Sequence, residues 1–111
     1  MKTSYFAKAG THPNAISIAA YNPSWFKGRS YPDLAPPWTL VSMYKKGYIS
    51  KDDYELKYIK ILEELDPQKV IKGLGENAVL LCYEKPSEFC HRHIVAQWLS
   101  DRTGITITEL E

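Results

Sequence analysis

Residues 78–83, AVLLCY, form an apolar run that leads through a polar loop (84–88) into a helical pattern opening on Cys90, His91, Arg92 and His93. A run without polar alternation predicts a strand covered on both faces, as in a mainly parallel sheet with helices on its two sides. The strand is therefore expected at the centre of the sheet. The order strand, loop, helix start is also where α/β proteins gather unpaired helix N–H groups and the positive end of the helix dipole.

Ser4–Ala7 and Ala15–Ala20 are strand candidates joined by a loop containing Gly10, Pro13 and Asn14. That link is too short for a parallel crossover, so the two strands either pair antiparallel or leave room for another strand between them. Residues 21–37 contain Pro23, Pro32, Pro36 and Pro37, which excludes regular helix or strand, and the aromatic Tyr21, Trp25 and Phe26 predict an ordered loop packed on the domain. The loop is either a cover on the sheet edge or a ligand-facing segment in which Lys27, Gly28 and Arg29 place two cations beside flexible backbone.

Three helices follow. Pro37 suits the first position of a helix over Trp38–Lys46, Ser50 and Asp53 make a capping box for Lys51–Leu65, and Asp66 caps Pro67–Leu74. Gly73-Leu74-Gly75 neither follows a strand nor opens a helix, which removes it as a phosphate loop. A final helix over Glu88–Arg102 stops near Gly104, and Ile105–Thr108 is the last strand. The result is an α/β fold, a small mainly parallel sheet of about four strands flanked by helices, expected as a single domain over 1–111.

Charge and composition narrow the function classes. With 14 Lys and Arg against 13 Asp and Glu, the formal charge of +1 supplies no broad attraction to nucleic acid or anionic membrane, so a polyanion would need a local patch. The amino end, MKTSYFAKAG, lacks the apolar stretch of a signal peptide, and no run is long enough to span a bilayer. The expectation is a cytoplasmic protein with no membrane partner, whose two cysteines are reduced thiols and not a Cys82–Cys90 disulfide.

Ser87 as N-cap would put Cys90 at N3, inside the turn where free N–H groups concentrate positive potential. Three roles for Cys90 stay open: a small apolar packing residue; a neighbour of an anion held by Arg92, Ser87 and the helix N–H groups; or a nucleophilic or redox thiol assisted by His91 or Glu84. The spacings Cys82 to Arg92 and Cys90 to Arg92 do not match the Cys-x5-Arg cradle of thiol phosphatases. A metal site from Cys82, Cys90, His91 and His93 meets a geometric objection. His91 and His93 are two apart on a helix and face different ways, which leaves at most Cys90 and His93 on one face. Neither a metal nor a cofactor is expected. His12 is placed near the same sheet edge if its strand runs parallel to 78–83, and Glu84 stands at the end of the central strand, either facing a ligand or gripping Arg92.

The segments LLCYEKPSEFCHRHIVAQWL (80–99), GITITEL (104–110), NAISIA (14–19), FKGRSYPDLAPPW (26–38) and YKKGYISKDDYELKY (44–58) resemble the family called domain of unknown function 488. The resemblance spans nearly the whole chain and implies a compact three-layer, Rossmann-like α/β domain. It maps Glu84, Cys90, His91 and Arg92 onto the family's motif, and Lys27, Gly28 and Arg29 onto the motif of the long loop. Longer relatives carry an arginine just after the first strand where this chain has Ala7-Lys8, so no role is carried over through that position. The combined expectation is a small anionic ligand, a nucleotide or a nucleic-acid end bound between the 84–92 turn and the 21–37 loop. Arg92, Ser87, Lys27 and Arg29 would bind it, and Cys90, His91 and Glu84 would be available for chemistry. The alternative is an interaction module for protein or nucleic acid in which the turn is structural.

Overall fold

The computed structural model describes residues 1–84 and 89–111. Its central strand, β4 (Val79–Cys82), is buried along its whole length. Side chains alternate along it, so Val79 and Leu81 enter one core while Leu80 enters another, and Cys82 points to the same face as Leu80. An apolar run without alternation is what two covered faces require.

The described residues form a five-stranded sheet in the order β3-β2-β4-β1-β5, parallel throughout, with β1 at Lys2–Tyr5, β2 at Ala15–Ser17, β3 at Arg29–Ser30 and β5 at Thr108–Glu109. β4 lies between β1 and β2, with Thr3 and Ile16 both in register with Leu80. The short link between the first two strands is therefore explained by an intervening strand and not by antiparallel pairing. One face carries α2 (Trp38–Lys45), α3 (Lys51–Leu62), α4 (Pro67–Leu74) and α5 (His91–Thr103), which bury Leu40, Tyr58, Leu62, Val70 and Leu99. The other face is covered by α1 (Phe6–Ala9) together with Ala19, Phe26 and Leu110. This is a three-layer α/β arrangement of Rossmann-like type, with helices on both sides of a parallel sheet.

Local chemistry sets the element ends. Ser50 accepts from the Asp53 amide at 3.1 Å and the Asp53 carboxylate accepts from the Ser50 amide, closing the capping box that opens α3. Asp66 caps α4, and Gly104, at φ 78°, ends α5 in the left-handed region that favours glycine. Pro37 stands at the N-cap of α2, one place before its expected position. No helix among the described residues is long and apolar enough to cross a membrane.

Three expectations change. Residues 21–37 do contain regular structure: β3, and a 3-10 turn at Pro32–Leu34. The strand forms because Asn22 bridges the Ser17 and Ser30 hydroxyls, accepting from the first and donating to the second, while the Tyr31 amide donates to the Ser17 carbonyl at 2.9 Å. The first strand starts earlier than Ser4 because Phe6 opens α1, and the last strand is displaced to Thr108–Glu109, where its register meets Lys2 and Thr3. Leu80→Ala should destabilise the fold by about 2–5 kcal/mol, as loss of a fully buried leucine does. Ser50→Ala, which removes an exposed cap, should cost about 1 kcal/mol. Urea denaturation of both variants checks the ranking.

Candidate functional site at the carboxyl end of β4

α5 begins at His91, with Cys90 as its N-cap in extended conformation (φ −148°, ψ 144°). Cys90 is thus not at the third helical position, and the Ser87 cap lies outside the described residues. An extended Cys90 is turned off the helix axis and back toward the end of β4. There a disulfide joins it to Cys82, with the two Cα atoms 7.2 Å apart. The expectation of two reduced, separate thiols is corrected by this placement: strand end and helix start converge on the same side of the sheet.

His91 is buried beside the pair. Its Nε2–H donates to the Ile18 carbonyl at 2.6 Å, which leaves Nδ1 as an acceptor facing the Cys90 Sγ at 3.8 Å. Burial lowers its pKa to about 4; the Ile18 bond opposes the shift, and the charges of Arg92 and His93 add to it. The imidazole is neutral at pH 7. Cys82, Cys90 and His91 place their ligand-capable atoms within 4.8 Å of one another, all three buried. His93, which helical spacing left as the one histidine able to share a face with Cys90, is apart from it: His93 lines a separate groove with Thr3 and Glu109, and burial, followed by the Arg92 charge, lowers its pKa against the opposing influence of Glu109.

Arg92 is fully buried, and its charge is spent inside the protein. Nε and Nη2 donate to the two Glu109 carboxylate oxygens at 3.1 and 2.9 Å, while Nη1 donates to the Glu84 carbonyl at 2.6 Å and to the Cys82 sulfur at 2.9 Å. The guanidinium also lies over the Tyr5 ring, 5.9 Å from its centroid. It is not placed to hold a ligand directly; it fixes the backbone at Glu84. Glu84 does grip Arg92, through its main chain, so its carboxylate is left to line the cleft.

That cleft opens where β4 and β2 end. Cys82, Cys90, His91 and Tyr54 are its buried part, and Glu84, Tyr44, Phe89, Tyr21 and Lys45 stand around them. The rings of Tyr44, Tyr54 and Phe89 meet pairwise at 5.3–5.5 Å between centroids. Burial, then the charges of Glu84 and Tyr44, raise the Tyr54 pKa well above the ordinary range, which keeps its hydroxyl protonated as a donor. Lys51 lies over the Phe89 ring, 5.0 Å from its centroid. Tyr44, Tyr54 and Lys45 were legible only as helix residues, since the helical stripe that buries Tyr54 and Tyr58 gives no sign that Tyr54 also borders a cleft.

Lys27 and Arg29 are not brought to this end of the sheet. Arg29 donates to the Gly73 carbonyl at 2.8 Å, and Gly28 between them packs so close to the Ala15 carbonyl that a Cβ would meet it at 3.1 Å. Both contacts lie toward the amino-terminal edge. His12 is on that edge too, although β1 is parallel to β4, because α1 carries the chain back: the His12 ring accepts from the Asn14 amide at 3.0 Å, and Asn14 in turn accepts from Val79 at the start of β4.

A family model described as DUF488-N3a, active DUF488-N3 subclade, matches residues 9–103. No curated protein and no solved structure matches the chain.

Glu109→Ala would leave the Arg92 guanidinium buried without its carboxylate, and should cost about 3–5 kcal/mol in urea denaturation at neutral pH. Burial pushes the Glu109 carboxyl up, but hydrogen bonds from Arg92 and Thr3 and the Arg92 charge outweigh it, so the net shift is downward from 4.5. A depressed carboxyl stabilises the fold above its unfolded value and loses that contribution as pH falls through the folded one. The stability gap between wild type and Glu109→Ala should therefore be constant near neutrality and narrow on acidification below 4.5.

Proposed function

Because the chain belongs to the domain of unknown function 488 family, in its DUF488-N3a subclade, we propose that it works through the cleft at the end of β4. There it binds a small ligand with a planar ring and an anionic group, a nucleotide or a nucleic-acid end. The observation that carries the reading is the convergence on one cleft of five aromatic rings (Tyr21, Tyr44, Tyr54, Tyr83 and Phe89), a lysine, a carboxylate and a buried histidine with a free acceptor nitrogen. Apolar walls with a few convergent polar groups are what small-molecule sites have in common. Tyr21 and Tyr44 offer faces for a base, while Lys45 lines the cleft and Lys51, over the Phe89 ring, adds positive charge beside it. These lysines take the anion-binding role that Arg92 is too enclosed to fill.

His91 Nδ1 and the Glu84 carboxylate are the groups able to exchange a proton with such a ligand. Cys90 adds a thiol only in the reduced chain, since a disulfide sulfur carries no proton and no nucleophilic pair of that kind. Arg92 acts through others, as a positioning residue for Glu84 and Cys82.

A second reading has its own support. Trp38, Tyr21 and Tyr83 touch in series (centroids 5.3 and 5.1 Å) and Tyr83 continues to Phe6 (4.8 Å), with Trp38 54% and Tyr21 48% exposed. Such a ridge would serve a non-enzymatic module that docks protein or nucleic acid.

Calorimetry with a nucleoside monophosphate and with its parent nucleoside separates the two. Tyr44→Ala should weaken both ligands by about 1–3 kcal/mol, the range for a lost stacking partner. Lys45→Ala should weaken the monophosphate and leave the nucleoside unchanged. Absence of binding by either ligand, or equal losses for both in Lys45→Ala, would rule out the nucleotide reading.

A further inference from the structure

We propose that the reduced chain binds one thiophilic metal ion, of which zinc is the type, through Cys82, Cys90 and His91. The inference rests on the donor set and does not require the nucleotide reading; in the reduced, metal-bound chain the ion would occupy His91 Nδ1 and leave Glu84 as the group able to exchange a proton. Two sulfurs and an imidazole nitrogen, delivered by the end of β4 and the start of α5, lie within 4.8 Å of one another. Cys and His are the ligands zinc prefers, and a Cys₂His set with one position left over is an established form of zinc site.

The surroundings fit ligands and not merely packing. A metal-bound histidine characteristically donates its second ring N–H to a carbonyl or carboxylate, which fixes the tautomer and aims the other nitrogen at the ion. His91 has that arrangement, with Nε2–H on the Ile18 carbonyl and Nδ1 turned to the Cys90 sulfur. Arg92 donates to the Cys82 sulfur at 2.9 Å, a contact that favours a thiolate over a thiol. Two thiolates would neutralise a divalent ion. All three residues line the cleft, which leaves the fourth position to water or to a group entering from it.

The 7.2 Å between the two Cα atoms exceeds the 4.4–6.8 Å usual for a disulfide, so the backbone holds the cysteines slightly wider than direct bonding asks. A shared ion between the sulfurs accommodates that separation. Passage from the disulfide requires two electrons and two protons from a dithiol reductant, giving two thiols and an oxidised reductant. The ion then displaces both protons to form two metal–sulfur bonds.

The full-length chain, reduced with a phosphine and freed of chelators, is titrated with Co²⁺ alone and then with Zn²⁺. One Co²⁺ per chain is expected, with thiolate-to-cobalt charge transfer and the intense visible bands of tetrahedral cobalt, both abolished by Zn²⁺. Cys90→Ser and His91→Ala should weaken binding by at least about 10–100-fold, the loss that follows even from removing an outer-shell partner. A second measurement needs no variant: Zn²⁺ should slow labelling of both wild-type cysteines by a thiol reagent. A folded, reduced wild type that gives no cobalt spectrum, or shows labelling indifferent to Zn²⁺, overturns the site. So does a cobalt spectrum unchanged in Cys90→Ser.

Discussion

A guanidinium cannot shed its charge at any pH a protein meets, so burying Arg92 completely obliges the fold to bring partners to it. Glu109 answers with both carboxylate oxygens, and Thr3 braces that carboxylate with a 2.6 Å hydroxyl bond. The remaining terminal nitrogen reaches the Glu84 carbonyl and the Cys82 sulfur. One side chain thereby ties the start of α5 to the end of β4, to β1 and to β5, a two-residue strand with few ladder bonds of its own. Desolvation makes such a pair a poor source of net stability, but removing either half is costly, which makes the clasp a device for fixing one geometry.

What that geometry fixes is the corner where sulfur and imidazole meet. Helix α5 starts one residue after Cys90, so Cys90 is free to adopt an extended backbone and face β4, while His91 turns under the sheet edge to the Ile18 carbonyl. The charged arginine lies behind this corner and the aromatic cleft lies in front of it. Chemistry at the corner would therefore proceed from neutral imidazole, sulfur and the Glu84 carboxylate. In the proposed reading, positive charge for a ligand would come from Lys45 in the cleft and Lys51 over the Phe89 ring.

Much of the fold was legible in the chain. The uninterrupted apolar run at 78–83 marked the central strand, and Ser50, Asp53, Asp66 and Gly104 marked helix ends, because these effects are local and residue-specific. Long-range partners were not legible. Nothing in the composition of residues 104–110 marks Glu109 as the carboxylate for Arg92, since that pairing exists only once β5 is laid beside β1. The objection to a metal set from spacing assumed that Cys90 was helical. An extended Cys90 removes the premise, and Cys82, eight residues away in sequence, becomes the neighbour in place of His93. Lys27 and Arg29 were grouped with the site as two cations in a loop that could face a ligand, yet that loop runs the full height of the sheet and leaves them at its other edge.

Arg92 and Glu109 act as one structural unit and not as a ligand-binding arginine with an incidental neighbour. A double-mutant cycle with Arg92→Met and Glu109→Leu, read by denaturant unfolding, measures this directly. A coupling energy of about 2 kcal/mol or more is expected, with the double variant recovering much of what either single change loses. Additivity of the two changes to within about 0.5 kcal/mol would contradict it.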